Sequence, residues 1–240
     1  MEKLGNITLH RGDCLEVLRS LPDKSFDLAI VDPPYYSGPE RRGFYGKRCS
    51  TTGVDRVDYH KSDKWHVPDP EYFRELERVS RYYIVWGCNY FDYQFYPGRI
   101  VWDKCNQSST FSDCEIAATN LFSSVRLFAF MWNGMCQGKS MKEGRVMQGN
   151  KKLNEKRIHP TQKPVALYAW LLTTYAQEGW KILDTHLGSG SHAIACEQLG
   201  FPLLGIELDQ HYYDAARKRI IDYQNEPNLF KQSTEYESKM

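Results

Sequence analysis

Lys181-Ile182-Leu183-Asp184-Thr185-His186-Leu187-Gly188-Ser189-Gly190-Ser191 opens as a short apolar strand, turns on two glycines and enters a helix reaching Leu199. Leu203–Glu207 then reads as a second strand that ends on an acid. Strand, glycine turn, helix and acid-terminated strand make up the generic nucleotide-binding βαβ unit. Glycines at 188 and 190 let the backbone approach a ligand with no Cβ in the way. Glu207 stands 17 residues beyond Gly190, where a carboxylate can accept both hydroxyls of a ribose. Gly188-x-Gly190-x-x-Ala193 also satisfies the dinucleotide fingerprint, so a nicotinamide-dinucleotide oxidoreductase is the rival reading. Position argues against it. About 50 residues follow Gly190, room for one more strand and helix, whereas a dinucleotide needs a further half-sheet downstream. The missing strands must lie upstream, which implies a permuted order.

They are found there. Ile7–His10 reads as a strand, and Cys14, Leu18 and Leu21 fall on one helical face. Phe26–Val31 is apolar apart from Asp27, as suits a strand buried on both faces of a parallel sheet. Asp69-Pro70 opens a helix with Tyr72, Leu76 and Val79 aligned. Strands are expected at Tyr82–Trp86 and Arg99–Asp103, with Glu115–Thr119 and Val125–Met131 as a final hairpin pair. Leu167, Trp170, Leu171 and Thr174 mark one further helix, and Tyr212, Ala216 and Ile220 the closing one. Residues 36–66 and 133–158 lack periodicity and read as functional insertions. The expectation is one α/β domain over 1–224, a mostly parallel sheet ending in an antiparallel hairpin, and a loose tail over 225–240.

The Phe26–Val31 strand ends in Asp32-Pro33-Pro34-Tyr35. This sequence presents a carboxylate, backbone carbonyls lacking neighbouring N–H partners, and a flat ring. Such a set suits a planar base with an exocyclic amine: the acid and a prolyl carbonyl accept its two N–H groups while the ring stacks on its face. A proline-stiffened turn with Tyr35 merely packing is the plainer alternative.

Net charge is +1, from 31 basic and 30 acidic residues, so any polyanion contact must come from local clustering. The seven cysteines show no C-x-x-C pairing, which argues against a disulfide scaffold or a zinc site and fits a reducing cytosol. No run approaches the roughly 20 apolar residues of a membrane span, and the amino terminus has no apolar signal core. A cytoplasmic protein without metal is expected.

With these motifs in place, the chain resembles the beta group of S-adenosylmethionine-dependent DNA amino-methyltransferases, in which the catalytic motif precedes the cofactor motif. The resemblance covers nearly all of residues 7–222. Its landmarks are Arg11-Gly12-Asp13-Cys14, Asp32-Pro33-Pro34-Tyr35, Val101-Trp102-Asp103-Lys104, His159-Pro160-Thr161-Gln162-Lys163-Pro164, the Gly188/Gly190 turn and Glu207. It implies a Rossmann-like methyltransferase fold with S-adenosyl-L-methionine as methyl donor. It further implies that Asp13, beside Cys14, reads the cofactor's adenine amine, with Asp32 bordering the same site. Glu207, beside Leu208, would hold the ribose. Asp184, Leu187, Gly188, Ser189, Gly190 and Ser191 would border the methionine portion, and Thr161 and Lys163 would hold its carboxylate. Asp13 has a competing reading as a helix N-cap, and His159 one as a turn-shaping residue. Trp86, Trp102 and Trp132 read as core aromatics. The family usually carries Asp-Pro-Phe before the glycine turn, whereas this chain has Asp184-Thr185-His186, so the wall beside the methyl donor is built differently.

By the same resemblance, an aspartate leading the catalytic motif goes with adenine and a serine with cytosine. The expected activity is N6-adenine methylation of flipped-out bases in double-stranded DNA, with N4-cytosine methylation as its alternative. Asp32, Pro33, Pro34 and Tyr35 form the catalytic set. DNA contact is expected where basic residues gather: Arg41, Arg42 and Lys47 in the first insertion, and Lys139, Lys142, Arg145, Lys151 and Lys152 around the second. A homodimer, a cognate restriction endonuclease and association with the nucleoid of a prokaryotic or phage-infected cell are left open by the resemblance.

Overall fold

The computed structural model describes residues 1–35, 58–106 and 112–226. Arg41, Arg42, Lys47 and the tail beyond 226 lie outside them. Among the described residues eleven strands are formed: β1 Glu2–Leu4, β2 Ile7–Arg11, β3 Phe26–Val31, β4 Ser80–Trp86, β5 Gly98–Asp103, β6 Cys114–Thr119, β7 Val125–Ala129, β8 Trp132–Asn133, β9 Cys136–Gln137, β10 Ile182–Asp184 and β11 Leu203–Glu207. Five helices accompany them: α1 Cys14–Ser20, α2 Pro70–Val79, α3 Val165–Tyr175, α4 Ser191–Leu199 and α5 Gln210–Asn225. No helix among the described residues is long and apolar enough to cross a membrane.

Nine strands build one sheet in the order β1-β2-β11-β10-β3-β4-β6-β5-β7, while β8 and β9 pair separately as a small antiparallel hairpin. Neighbours from β2 to β4 all run parallel. Helices cover both faces, which is why the central strands are apolar on both sides. One core packs α3, α4 and α5 against Ile7, Leu9, Leu28, Ile30, Ile182 and Leu203. The other sets α1 and α2 against Ala29, Val31, Leu183 and Ile206. Alternate residues of single strands therefore serve opposite cores.

The order decides where function can sit. In the parallel run β2-β11-β10-β3, each strand ends beside the carboxyl end of its neighbour. Gly12-Asp13, Glu207, the Thr185–Ser189 turn and Asp32 are thereby delivered to one edge of the sheet. Open α/β sheets bind ligands at this edge.

The expected hairpin of Glu115–Thr119 with Val125–Met131 is not formed. β6 lies between β4 and β5, antiparallel to both, and β7 pairs with β5 in parallel. The link after β6 hops over the start of β5. Gly98 permits the crossing, since a Cβ there would lie 2.0 Å from the Phe122 carbonyl oxygen and 2.6 Å from that of Thr119. The antiparallel element closing the sheet is thus β5–β6, and β1, unmarked in the sequence, adds an antiparallel edge at the other end.

Candidate active site

Asp32 follows the last buried residue of β3, and Pro33 and Pro34 keep the chain extended beyond it. A cavity of about 290 Å³ opens here. Its wall includes Asp32, Pro33, Pro34 and Tyr35 on one side, and Leu187, Gly188, Ser189, Glu207 and Leu208 on the other. Gly12, Asp13 and Cys14 lie at the end of β2, and Thr161 and Lys163 complete the set. Acidic tetrapeptide and glycine turn thus share one crevice. A cavity near 300 Å³ with a few convergent polar groups has the size of a small-molecule site.

Asp32 is held asymmetrically. Lys163 Nζ lies 2.5 Å from its Oδ2, while Oδ1 is buried and has no hydrogen-bond partner among the described residues. Burial pushes its carboxyl up to about 6 against the pull of Lys163. An uncommitted buried acceptor on a residue that lines the cavity is an expensive feature unless a ligand donor completes it. Tyr35 stacks in parallel on Tyr90 with centroids 4.7 Å apart. Gly87, at φ +69°, makes room for it: a Cβ there would stand 2.4 Å from Tyr35 Cδ1.

Glu207 ends β11 with both oxygens engaged by backbone. Oε2 accepts from Gly188 N at 2.8 Å and Oε1 from Asp209 N at 2.9 Å. Each oxygen keeps a lone pair toward the cavity, and burial pushes the carboxyl up to about 7. Asp13 is the N-cap of α1: its Oδ1 accepts from Leu15 N at 2.8 Å and Glu16 N at 3.2 Å. Its Oδ2 has no hydrogen bond among the described residues, so the capping and ligand-reading roles are compatible. Burial pushes the Cys14 thiol up to about 12, which makes it a packing residue rather than a nucleophile.

Three residues expected at the ligand do not line the cavity. Asp184 is 2% exposed and spends its oxygens on His186 N (3.0 Å) and His192 Nδ1 (3.0 Å), bracing the turn from beneath. Gly190 takes φ +74° and would place a Cβ 3.3 Å from that of Ala216, so its glycine serves close packing of α5. Ser191 bonds Glu155 Oε1 at 3.1 Å and receives Arg219 at 3.0 Å. Glu155 also accepts from Val165 N at 2.9 Å, capping α3 where Pro164 offers no side-chain cap. Lys163 lines the cavity, but its ammonium is engaged by Asp32 and, at 2.9 Å, by Glu115 Oε2, rather than standing free for a ligand carboxylate.

The altered Asp184-Thr185-His186 sequence finds its explanation here. Thr185 Oγ1 lies 2.6 Å from Tyr72 OH and 2.9 Å from His186 Nδ1. The His186 ring sits edge-on to Tyr72 at 5.4 Å, so an aromatic wall persists, tied by hydrogen bonds. Tyr72 escaped the sequence reading because its spacing on α2 looks like plain core. Trp65, also unmarked, lines the cavity and stacks at 6.4 Å on His159. His159 shapes its turn through Nδ1, which accepts from Thr161 N at 3.3 Å, and it faces the cavity as well. Trp86, Trp102 and Trp132 are buried core aromatics, as read. Of the basic residues around the second insertion, Lys139, Lys142, Arg145, Lys151 and Lys152 are all exposed. Lys139 pairs with Glu143 at 2.7 Å and Arg145 with Asp103 at 3.0 Å. No cluster of metal-ligating side chains occurs among the described residues.

Comparison with known proteins agrees with this geometry. Residues 128–218 match a family model described as DNA methylase, N6/N4 type. The chain is 25% identical to the type II methyltransferase M.HinfI of Haemophilus influenzae, over 92% of this chain and 70% of that one. It is 24% identical to M.HpaI of Haemophilus parainfluenzae, over 87% and 72%. A DNA modification methylase of Thermus thermophilus, solved with S-adenosyl-L-methionine, shares the fold at TM-score 0.52 and 18% identity, over 91% of this chain and 95% of that one. The cytosine-N4-specific PvuII DNA methyltransferase shares it at TM-score 0.53 and 14% identity, over 93% of each. The chain is thus similar to N6/N4 DNA methylases, through residues 128–218 in the family model and along most of its length in the two Haemophilus methyltransferases.

Proposed function

We propose that this chain transfers a methyl group from S-adenosyl-L-methionine to the exocyclic N6 amine of adenine in double-stranded DNA. The observation that carries the reading is that Asp32, whose buried Oδ1 has no hydrogen-bond partner among the described residues, lines the same cavity as Gly188 and Glu207. The residues present fit the donor. Glu207 offers acceptor lone pairs suited to ribose hydroxyls, Asp13 Oδ2 an acceptor suited to an adenine amine, and Gly188 a Cβ-free backbone. When bound, S-adenosyl-L-methionine supplies an electrophilic methyl group on a positively charged sulfur.

Adenine's amine is a weak nucleophile because its lone pair is delocalised into the ring. Asp32 Oδ1 accepts one N–H and the Pro33 carbonyl the other, which holds the nitrogen pyramidal with its lone pair directed at the methyl group. Tyr35 stacks on the base; such stacking is worth about 1–3 kcal/mol against the few kcal/mol needed to extrude the base. Catalysis is positioning and electrostatics, with no covalent intermediate on the protein. Transfer would exchange the donor's S–CH3 bond for the new N–CH3 bond, leaving the bond's electron pair on a neutral sulfur, and the nitrogen would release one proton to Asp32 Oδ1 or solvent. Aspartate at the head of the motif favours adenine over cytosine by family resemblance. The basic residues around 139–152 suit phosphate contact, and Arg41, Arg42 and Lys47 carry the same proposal from sequence alone.

The test is expression in a methylation-free host followed by single-molecule sequencing of its DNA, alongside Asp32→Ala. N6-methyladenine at a defined site, lost in Asp32→Ala while S-adenosyl-L-methionine still binds, is the expected result. N4-methylcytosine would redirect the reading to the other amine, and full activity of Asp32→Ala would remove Asp32 from the mechanism.

A further inference from the structure

Behind Asp32 stands a row of buried charges that methyl transfer as described does not use. Lys163, 2% exposed, places Nζ 2.5 Å from Asp32 Oδ2 and 2.9 Å from Glu115 Oε2. Glu115, on β6, is paired in turn with Lys104 at the end of β5. Acid, base, acid and base thus alternate from the cavity wall into the antiparallel end of the sheet. Nothing about β6 in the sequence marks Glu115 as part of a site. It reaches Lys163 because β6 is inserted between β4 and β5, which carries its carboxylate to the strand edge where Asp32 ends.

Burying one carboxylate and one ammonium would make a simple pair. A second carboxylate on the same ammonium adds a desolvation cost that its attraction to Lys163 and Lys104 must offset. Its visible effect is geometric. Lys163 stands in ion-pair contact with two anions, and its contact with Oδ2 leaves Oδ1 of Asp32 without a hydrogen-bond partner among the described residues. We propose that Glu115, secured by Lys104, is a positioning residue: it fixes Lys163 so that Lys163 orients Asp32 with Oδ1 toward the target amine. The role rests on the proposed methyl transfer, and it also reassigns Lys163 from binding a ligand carboxylate to holding the catalytic acid.

The electrostatics give the chain a signature. Lys163 draws the Asp32 carboxyl down and Glu115 pushes it up, with Asp184 adding to the upward push. Tyr72 and Tyr168 also face Asp32, and His159 faces Lys163; none of these three is ionised near neutrality. Glu115→Gln therefore shifts the Asp32 titration to lower pH, whereas Lys163→Met shifts it to higher pH. A residue acting only in packing produces no such opposed pair of shifts.

The experiment reads the Asp32 carboxyl by carbon-13 NMR in wild type, Glu115→Gln and Lys163→Met, together with kcat and S-adenosyl-L-methionine affinity. Expected are opposite shifts of the Asp32 midpoint, a fall in kcat of about tenfold or more in Glu115→Gln, and cofactor affinity within about twofold of wild type. Glu115→Gln is isosteric and leaves Lys163 paired with Asp32, so it tests the idea even if Lys163→Met fails to fold. An unmoved Asp32 midpoint in Glu115→Gln overturns the inference whether or not the protein methylates DNA. Shifted midpoints in a wild type without methyltransferase activity would keep the charge row and end the reaction assigned to it. A cofactor affinity lost in Lys163→Met, with Asp32 unmoved in Glu115→Gln, would return Lys163 to the ligand carboxylate.

Discussion

At the scale of single residues, the tetrapeptide after β3 and Asp13 carry opposite lessons. Asp32-Pro33-Pro34-Tyr35 could be singled out because an acid, two prolines and an aromatic at a strand end are unusual together, and all four line the cavity. Asp13 was ambiguous because an N-cap and a ligand acceptor need the same side chain, and the structure shows the cap with one oxygen to spare. Gly87 was invisible in the sequence, since nothing nearby reveals that Tyr35 lies over it. Its φ of +69° and the 2.4 Å approach of Tyr35 Cδ1 to a built Cβ make it a requirement of the stacking platform. Gly87→Ala is expected to push the Tyr35 ring away and lower kcat/KM for DNA about fivefold or more, the low end of one base stack. Cofactor affinity should hold, because Gly87 does not line the cavity. Unchanged kcat/KM would separate Tyr35 from the base.

At the scale of elements, the five α-helices and eight of the eleven described strands could be read, because amphipathic spacing and caps such as Asp69-Pro70 are local signals, whereas the short β1, β8 and β9 carry none. Strand order was not local. β6 and β7 are neighbours in sequence with a short link, the pattern of a hairpin, yet β5 lies between them. The deciding contact is between Gly98 and the crossing link, a backbone approach that no periodicity records. That same insertion delivers Glu115 to Lys163, so the unforeseen topology and the unforeseen part of the site have one cause. Gly98→Ala should cost at least about 2 kcal/mol, as overpacking against rigid backbone does. Gly149→Ala, with nothing within 4 Å of its added carbon, should stay within about 0.5 kcal/mol as a surface change. Chemical denaturation of the two variants measures both. Equal stabilities would mean that the 120–124 link does not bear on β5 as described.

At the scale of the whole molecule, the cavity collects groups whose titration opposes one another. Burial pushes Asp32 up to about 6 and Glu207 up to about 7, so the folded chain keeps both protonated below about pH 6, whereas ordinary carboxyls in the unfolded chain ionise above about 4.5. Burial pushes His159 down to about 3 and His186 down to about 4, so the folded chain keeps both neutral in a range where unfolded histidines, near 6.5, are charged. Between about pH 4.5 and 6 the folded state holds two extra carboxyl protons and the unfolded state two extra imidazole protons. Stability changes with pH in proportion to the difference in bound protons, so these four groups together leave it nearly flat across that window. His186→Phe, which installs the residue the family usually carries there, deletes one unfolded-state proton. The folded state then binds one proton more, and stability should rise as pH falls, by about 1.4 kcal/mol per pH unit. Thermal unfolding of both proteins between pH 4.5 and 6 reads this directly. Parallel curves would show that His186 does not stand neutral in the wall of the cavity, and the hydrogen-bonded substitute for the family's aromatic would then have to be abandoned.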